Sequence, residues 1–199
     1  MKPRIPEFYV CKPMSSSNAK SPPAHVQLAL PDEAASTALG AALAHAIAEE
    51  SGHVEAHGLT IALAGDLGAG KTFLVRALLR ACGITGAVKS PTFTLLEPYE
   101  VSRLHFYHFD FYRFKTPKEF IDGGFDEYFG PAGVCLVEWP ERAGTYLPAV
   151  DLRIALRIPE SEHGARAVAI DALTEIGERC LDHLETLQTA ANRESRVGA

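Results

Sequence analysis

The sequence predicts a single-domain α/β protein: a mixed β-sheet with a parallel core and antiparallel hairpins, covered by helices on both faces. Two observations predict this three-layer class. An apolar run at residues 59–64 leads through a glycine-rich loop into a helical pattern at 71–81, the order of a strand–helix unit in a parallel sheet. A second apolar run at 134–137 and two alternating segments after it supply further strands. A length of 199 residues suits one such domain.

The glycine-rich loop is the strongest chemical signal in the chain. Residues 65–72 read G-D-L-G-A-G-K-T and fill every required position of the phosphate-loop pattern G-x-x-x-x-G-K-[ST]. Its glycines free backbone N–H groups to turn toward an anion, and the N-terminus of the next helix favours negative charge. We expect Lys71 to reach the β- and γ-phosphates of a nucleotide and the Thr72 hydroxyl to bind Mg²⁺. The expected nucleotide contacts are Gly65, Asp66, Leu67, Gly68, Ala69, Gly70, Lys71, Thr72 and Phe73.

Before the loop, a helix is predicted from Asp32, which suits the N-cap of an apolar stripe ending at Ile47. Residues 1–25 are rich in proline and show no sustained periodicity, which predicts a mobile extension. The domain is therefore expected to span residues 26–192, with a mobile tail at 193–199. The start of the first helix, near Pro31 and Asp32, is a candidate edge for an adenine base.

After the loop helix, which Gly83 is expected to end, the remaining elements follow from local pattern. Strands are predicted at 93–99 and 104–109, joined as a hairpin around 100–103. A capping-box pattern with proline at the first helical position predicts a helix from Thr116 that breaks near Gly123. A strand at 134–137, a strand pair at 152–158 and 165–170, and a closing helix with apolar residues from Ile176 to Leu187 complete the chain.

A nucleotide site of this kind also needs an acidic group at the end of a neighbouring strand. Glu138 follows the run at 134–137, and Asp110 follows the strand at 104–109, so both are candidates to hold or hydrate Mg²⁺. Trp139, at the same strand end, is expected near the nucleotide. The segment at 90–92, Ser-Pro-Thr, is either a switch whose hydroxyls sense the γ-phosphate or a plain strand entry. His105 and His108 are expected on opposite faces of one strand, which disfavours a shared metal.

Composition excludes several classes of function. The net charge of −6 argues against broad, nonspecific nucleic-acid binding, which depends on clustered cations. No run approaches the length of about 18 apolar residues that a membrane span requires, and no secretory signal is visible, so we expect a cytoplasmic protein without membrane association. Four widely spaced cysteines indicate neither a zinc site nor a disulfide framework. Four cations form either a solvated face or a basic surface for tRNA or an acidic partner: Arg103, Arg113, Lys115 and Lys118.

Four motifs in order resemble the TsaE family, formerly called YjeE: G-D-L-G-A-G-K-T at 65–72, V-K-S-P-T-F-T at 88–94, H-F-D-F-Y-R at 108–113 and V-E-W at 137–139. The resemblance covers about residues 26–160. It implies a small ATPase, slow without its partner proteins TsaB and TsaD. In that system TsaD transfers a threonylcarbamoyl group to the adenosine 3′ of the anticodon in tRNAs that read codons beginning with A. TsaE meets tRNA only through the complex, and ATP serves the cycling of TsaB and TsaD.

Carried over by motif, residues 68–72 bind phosphate, Thr72 and Glu138 hold Mg²⁺, and Asp110 is an activity-critical acid. Lys71, Asp110 and Glu138 are thus the expected catalytic residues, with ATP and Mg²⁺ as cofactors. Phe73 departs from the family pattern, since many relatives carry a second hydroxyl there.

Two alternatives to the accessory ATPase stay open. A small-molecule kinase would need an acceptor pocket and an arginine-bearing lid, for which residues 111–130 supply only Arg113. A nucleotide-dependent switch would bind partners and hydrolyse little. The guanine-specific N-K-x-D pattern and the L-S-G-G-Q signature are both absent from the sequence.

Overall fold

The structure is a computed structural model that describes residues 24–160 and 164–184. Its strands form one mixed seven-stranded sheet, in the order β1-β7-β6-β2-β5-β4-β3. The bounds of these strands are β1 His25–Leu30, β2 Leu59–Ala64, β3 Leu96–Val101, β4 Leu104–Asp110, β5 Gly133–Glu138, β6 Leu152–Arg157 and β7 Arg166–Ala172. The helices are α1 Glu33–Glu49, α2 Ser51–His57, α3 Lys71–Ala81 and α4 Glu119–Asp122, followed by α5, which starts at residue 175 and continues to 184, where the description ends.

The parallel core of the sheet comprises β6, β2, β5 and β4. Strand β2 lies at its centre, and all but the last of its residues are buried. Strand β5 is buried throughout, as expected for a parallel strand covered on both faces. Because β2, β4 and β5 run in the same direction, the loop after β2 and the ends of β4 and β5 meet at one edge of the sheet, so residues 65–72, Asp110 and Glu138 come together.

Helices α1, α3 and α5 contribute to the main apolar core on one face of the sheet. The Asp32 side chain accepts a hydrogen bond from the Ala35 N–H at 2.8 Å and caps α1 as predicted. Gly40 on α1 sits directly against Ala77 and Leu78 of α3, so these two helices approach closely. Helix α3, which follows the glycine-rich loop, is therefore packed tightly against α1.

A cluster of aromatic side chains covers the opposite face. Phe109, Phe111, Phe114 and Phe120 are buried there with Cys135 and Val137 of β5. Their cover is the short helix α4 together with 3₁₀ turns at Phe125–Tyr128, Pro140–Arg142 and Gly144–Tyr146. The predicted fold class, a mixed sheet with helices on both faces, is confirmed, and this second layer is thinner than the first.

Helix α5 is tied to the end of α1 by charged groups. Arg179 donates from Nε to Glu50 Oε2 at 2.9 Å, and His183 Nε2 lies 3.2 Å from Glu50 Oε1. Burial acts to raise the pKa of Glu50, but the hydrogen bonds from Arg179 and His183 outweigh burial and hold that pKa below its usual value. The Glu50 carboxylate is therefore part of the link between α1 and α5.

Strand β3 forms one edge of the sheet, and its predicted start at Phe93 is wrong by three residues. Leu95 has φ 66° and its N–H donates to the Pro91 carbonyl at 2.6 Å, so a turn precedes the strand. Phe93 consequently lies on the surface, 83% exposed. The β3–β4 hairpin itself is confirmed, and Pro98 stands within its outer strand.

Other boundaries also differ from the predictions. Helix α4 begins at Glu119, because residues 115–118 instead form a turn in which the Glu119 carboxylate accepts from the Lys115 and Thr116 N–H groups. Strand β1 and helix α2 were not predicted. Strand β1 exists by pairing with β7, a partner about 140 residues away in sequence. The predicted mobile extension at 1–25 falls outside the described residues except for its last two, and the C-terminal tail at 193–199 falls outside them entirely.

Candidate functional site: the loop between β2 and α3

The loop at residues 65–70 is held open by three glycines in the left-handed region. Gly65, Gly68 and Gly70 have φ of 139°, 79° and 107°, values that other residues rarely adopt. A Cβ at Gly65 would lie 2.3 Å from the Leu156 carbonyl oxygen, whereas the space beside Gly68 is open to at least 4 Å. The loop thus packs tightly against β6 at its start and leaves room beside its centre. Backbone and space together fit an anion.

Lys71 starts α3 and is almost completely buried. Its Nζ donates to the carbonyl oxygens of Gly65 at 2.7 Å and Asp66 at 3.0 Å, and it lies 4.0 Å from the centroid of the Trp139 ring. Burial lowers the pKa of Lys71, while the nearby carboxylates of Glu138, Glu141, Asp110 and Asp66 act in the opposite direction. A cation in such surroundings, with no carboxylate of the described residues in direct contact, is suited to an anionic ligand.

Glu138, the last residue of β5, faces Thr72 of α3. The Thr72 hydroxyl donates to Glu138 Oε1 at 2.7 Å, and the same oxygen lies 2.9 Å from His108 Nε2. Glu138 and His108 are both buried. A hydroxyl and a carboxylate in contact are the donor pair that Mg²⁺ takes from proteins that bind it together with phosphate. Across the described residues no cluster of three His, Cys, Asp or Glu side chains could hold a metal ion, so water and phosphate would have to complete the coordination.

Asp110 ends β4 directly beside Glu138 in the sheet register. Its Oδ2 accepts from the hydroxyls of Ser90, at 2.5 Å, and Thr92, at 2.7 Å, while Oδ1 accepts from the Tyr112 N–H at 3.0 Å. Asp110 therefore holds the 88–94 segment against the sheet. The two sequence motifs that contain these residues form one hydrogen-bonded unit beside the loop.

Trp139 turns the chain away immediately after Glu138. Its φ of 58° is uncommon for a residue with a side chain, and its N–H donates to the Leu63 carbonyl at 3.2 Å. The indole ring lies between Lys71 and Tyr112, whose ring centroid is 5.0 Å away. Trp139 thus lies against Lys71 at the start of α3, and its expected closeness to a nucleotide stays a prediction.

A cleft of about 490 Å³ opens on the other side of the loop. Its walls come from the start of α1, the loop, α3 and the β6–β7 connection: Leu30, Pro31, Asp32, Glu33, Ser36, Gly68, Gly70, Phe73, Leu74, Leu156, Gly164 and Arg166. Pro31 and Asp32, the candidate adenine edge, and Phe73 thus line one cavity. Asp66 and Leu67 lie at the exposed tip of the loop.

Arg166 of β7 braces the loop from this cleft. Its Nε donates to the Ala69 carbonyl at 2.8 Å and its Nη2 to the Gly68 carbonyl at 3.4 Å. Sequence reasoning missed Arg166, which stands about 100 residues after the loop, and it missed the contact of His108 with Glu138. The signals for His108 were its place at the start of the H-F-D-F-Y-R motif and its position two residues before Asp110, which puts both side chains on one face of β4.

Three of the four cations of the predicted basic surface have contacts in the structure. Arg103 lies 3.8 Å from Glu55, Lys118 pairs with Asp122, and the Arg113 guanidinium stacks on the Phe93 ring at 4.2 Å. Two of the cations are thus engaged with carboxylates on different elements, which favours the solvated-face interpretation.

The described cysteines show no reactive environment. Cys82, Cys135 and Cys180 are free thiols. Burial raises the pKa of Cys82 to about 11 and that of Cys180 to about 12, and raises the pKa of Cys135 further. Cys11 lies outside the described residues. None of the helices in the described ranges has the length and apolar character to cross a membrane.

The fold and the site together define an α/β protein with a phosphate-loop sequence between its central strand and the next helix. The profile of the family described as "Threonylcarbamoyl adenosine biosynthesis protein TsaE" matches residues 30–168. The chain belongs to this family.

Individual relatives agree with this assignment. The chain is 38% identical over 123 residues to the "tRNA threonylcarbamoyladenosine biosynthesis protein TsaE" of Haemophilus influenzae, a match covering 62% of this chain and 76% of that protein. It is 44% identical over 100 residues to the protein of the same name from Bacillus subtilis, covering 50% and 62%. The crystal structure of YdiB from Bacillus subtilis superposes with a TM-score of 0.65 at 28% identity, covering 85% of this chain and 99% of that one.

Proposed function

We propose that this protein is a Mg²⁺-dependent ATP-binding and ATP-hydrolysing accessory protein of tRNA threonylcarbamoyladenosine biosynthesis, acting with TsaB and TsaD in the cytoplasm. Membership of the TsaE family supports the pathway. The observation that carries the nucleotide chemistry is the 2.7 Å contact between Thr72 and Glu138. It lies beside a loop whose buried Lys71 is in direct contact with no carboxylate from the part of the chain that the structure describes. A hydroxyl, a carboxylate and a desolvated cation at one loop match the needs of a triphosphate with its divalent ion.

The residues present fit these cofactors. Thr72 and Glu138 would hold Mg²⁺, which supplies charge neutralisation to the phosphates when bound. Lys71 would exchange its two carbonyl partners for phosphate oxygens, a change that replaces neutral acceptors with charged ones. The cleft lined by Pro31, Asp32 and Phe73 would take the base and ribose, since it opens beside Gly68 and Gly70.

Hydrolysis would form a bond from a water oxygen to the γ-phosphorus and break the bond to the β–γ bridging oxygen, giving ADP, phosphate and a proton released to solvent. Lys71 contributes charge stabilisation to the phosphoryl group. Asp110 acts on the 88–94 segment, since its two oxygens already accept bonds from Ser90, Thr92 and Tyr112. The Ser90 and Thr92 hydroxyls donate to Asp110, which stands opposite Glu138 in the sheet register, and they would orient water if released from Asp110.

The pathway proposal is tested by reconstituting tRNA modification with TsaB and TsaD under multiple-turnover conditions, with and without this chain. We expect product beyond one turnover only when the chain is present. Equal yields in both reactions would refute the accessory role.

The nucleotide proposal is tested separately by titrating a fluorescent ATP analogue into wild-type protein and two variants and by measuring the ATP hydrolysis of each. Lys71→Ala is expected to abolish binding, and Glu138→Ala to retain binding but lose the effect of Mg²⁺ on turnover. Unchanged hydrolysis in Glu138→Ala would remove Glu138 from the site. Stoichiometric phosphoryl transfer to a small-molecule acceptor would instead identify a kinase.

A further inference from the structure

We propose that His108 is a positioning residue that fixes the orientation of the Glu138 carboxylate for a divalent cation. This inference rests on the proposed function, because it concerns Thr72 and Glu138, the two residues proposed to hold Mg²⁺ in the same site. Its basis is the 2.9 Å contact between His108 Nε2 and Glu138 Oε1, the oxygen that also accepts from Thr72.

The sheet places these residues together. His108 and Asp110 lie two apart on β4 and so share one face, and Asp110 stands opposite Glu138 in the register of β4 and β5. Phe109, between them, points to the other face and packs in the aromatic cluster. His108 thus reaches Glu138 diagonally across the two strands.

The hydrogen bonding of Glu138 assigns each oxygen a role. A carboxylate only accepts hydrogen bonds, so His108 donates from Nε2 and Thr72 from its hydroxyl. Both donors converge on Oε1, and Oε2 makes no hydrogen bond to any of the residues that the structure describes. Two donors on one oxygen fix the rotation of the carboxylate and leave the second oxygen for the cation.

The burial of His108 argues against a role in packing alone. The residue is 0% exposed, and its Nδ1 has no hydrogen-bond partner within the described ranges. Leaving a buried polar atom unpaired costs roughly 1–3 kcal/mol, which an apolar side chain of similar size would avoid. A histidine at this position supplies the hydrogen bond from Nε2 to Glu138, which an apolar residue could not make.

Residues that hydrogen-bond to a metal-binding side chain influence the affinity of the site for the metal. Loss of such a partner typically lowers metal affinity by about 10- to 100-fold. A side chain that only packs would change the stability of the whole fold without separating the binding of metal from the binding of nucleotide.

The test measures binding of a fluorescent ATP analogue in EDTA and then its dependence on Mg²⁺ concentration. The variants are His108→Leu, His108→Asn and His108→Gln, with His105→Gln as the control, because His105 lies on the same strand but is exposed. A glutamine amide reaches about as far as histidine Nε2, whereas an asparagine amide is too short.

We expect His108→Leu and His108→Asn to raise the Mg²⁺ midpoint by about 10-fold or more, with affinity in EDTA within about twofold of wild type. His108→Gln should restore most of the Mg²⁺ response, and His105→Gln should match wild type. If His108→Leu does not fold, the asparagine and glutamine variants decide the question.

Equal Mg²⁺ midpoints for the asparagine, glutamine and wild-type proteins would overturn the positioning role while leaving the proposed function intact. A wild-type protein whose nucleotide binding ignores Mg²⁺ would instead overturn the proposed function, and the inference with it. The Mg²⁺ dependence of nucleotide binding by the wild-type protein therefore distinguishes failure of the proposed function from failure of the positioning role.

Discussion

The close approach of α1 and α3 makes Gly40→Ala a sharp test of the packing. A Cβ at position 40 would lie 2.5 Å from the Ala77 Cβ and 2.8 Å from the Leu78 backbone nitrogen, and backbone atoms cannot move aside as a flexible side chain can. Alanine gains about 1 kcal/mol of helix propensity over glycine, but overpacking of this kind costs about 1–3 kcal/mol. Because the Leu78 nitrogen and the Ala77 carbonyl carbon, which would lie 2.9 Å from the new Cβ, both belong to backbone, we expect a net loss of about 1–2 kcal/mol.

Gly52→Ala is the matched control. Gly52 also lies in a helix, α2, and a Cβ there would meet no atom within 4 Å. We expect this change to raise stability by about 0.4–1 kcal/mol, through a smaller entropy of the unfolded chain.

Thermal unfolding followed by circular dichroism measures both effects. At roughly 2–4 °C per kcal/mol for a chain of this size, Gly40→Ala should lower Tm by about 2–8 °C and Gly52→Ala should raise it by about 1–4 °C. A Tm for Gly40→Ala equal to or above wild type would refute the reasoning, since it would mean that the two helices separate at negligible cost.

Three further predictions concern the site and its support. Arg166→Ala should weaken binding of an ATP analogue about 2- to 10-fold, the value of one hydrogen bond to the loop, whereas the exposed Arg157→Ala should match wild type in the same titration. Glu50→Gln should lower the free energy of unfolding by about 1 kcal/mol at pH 7. Since the pKa of Glu50 in the folded protein is lowered below 4.5, the stability difference between wild type and variant should persist above pH 4.5 and vanish as acid protonates the carboxylate. Urea unfolding at a series of pH values measures it. Asp110→Asn should increase amide hydrogen exchange in residues 88–94 without affecting β2, and equal exchange in both proteins would contradict its role as the anchor of that segment.

The features that were predicted from sequence have local causes. The loop at 65–72 requires glycine at fixed positions, β2 and β5 are short apolar runs, and Asp32 is an N-cap with its helix directly after it. Glu138 follows from these, because parallel strands bring their carboxyl ends to one edge of the sheet. The loop at 65–72 and Glu138 could therefore be predicted to lie together from local sequence pattern and from the alignment of parallel strands.

The features that were missed depend on neighbours far away in the sequence. Strand β1 is specified by β7, and Arg166 reaches the loop only because the sheet order places β7 next to β6, beside the start of α3. The alternation of β4 predicted correctly that His105 and His108 face opposite ways, but which group His108 meets depends on β4 lying next to β5. The error at Phe93 has another cause, the left-handed backbone of Leu95, for which leucine gives no signal.

The proline within β3 bears on how copies of this chain can meet. Pro98 lies in the outermost strand of the sheet, between Glu97 and the exposed Glu100, and it lacks the N–H that an added strand would bind. Acidic neighbours repel a further acidic strand. Pro98 and its acidic neighbours thereby make this border of the molecule a poorer template for edge-to-edge pairing between copies of the chain.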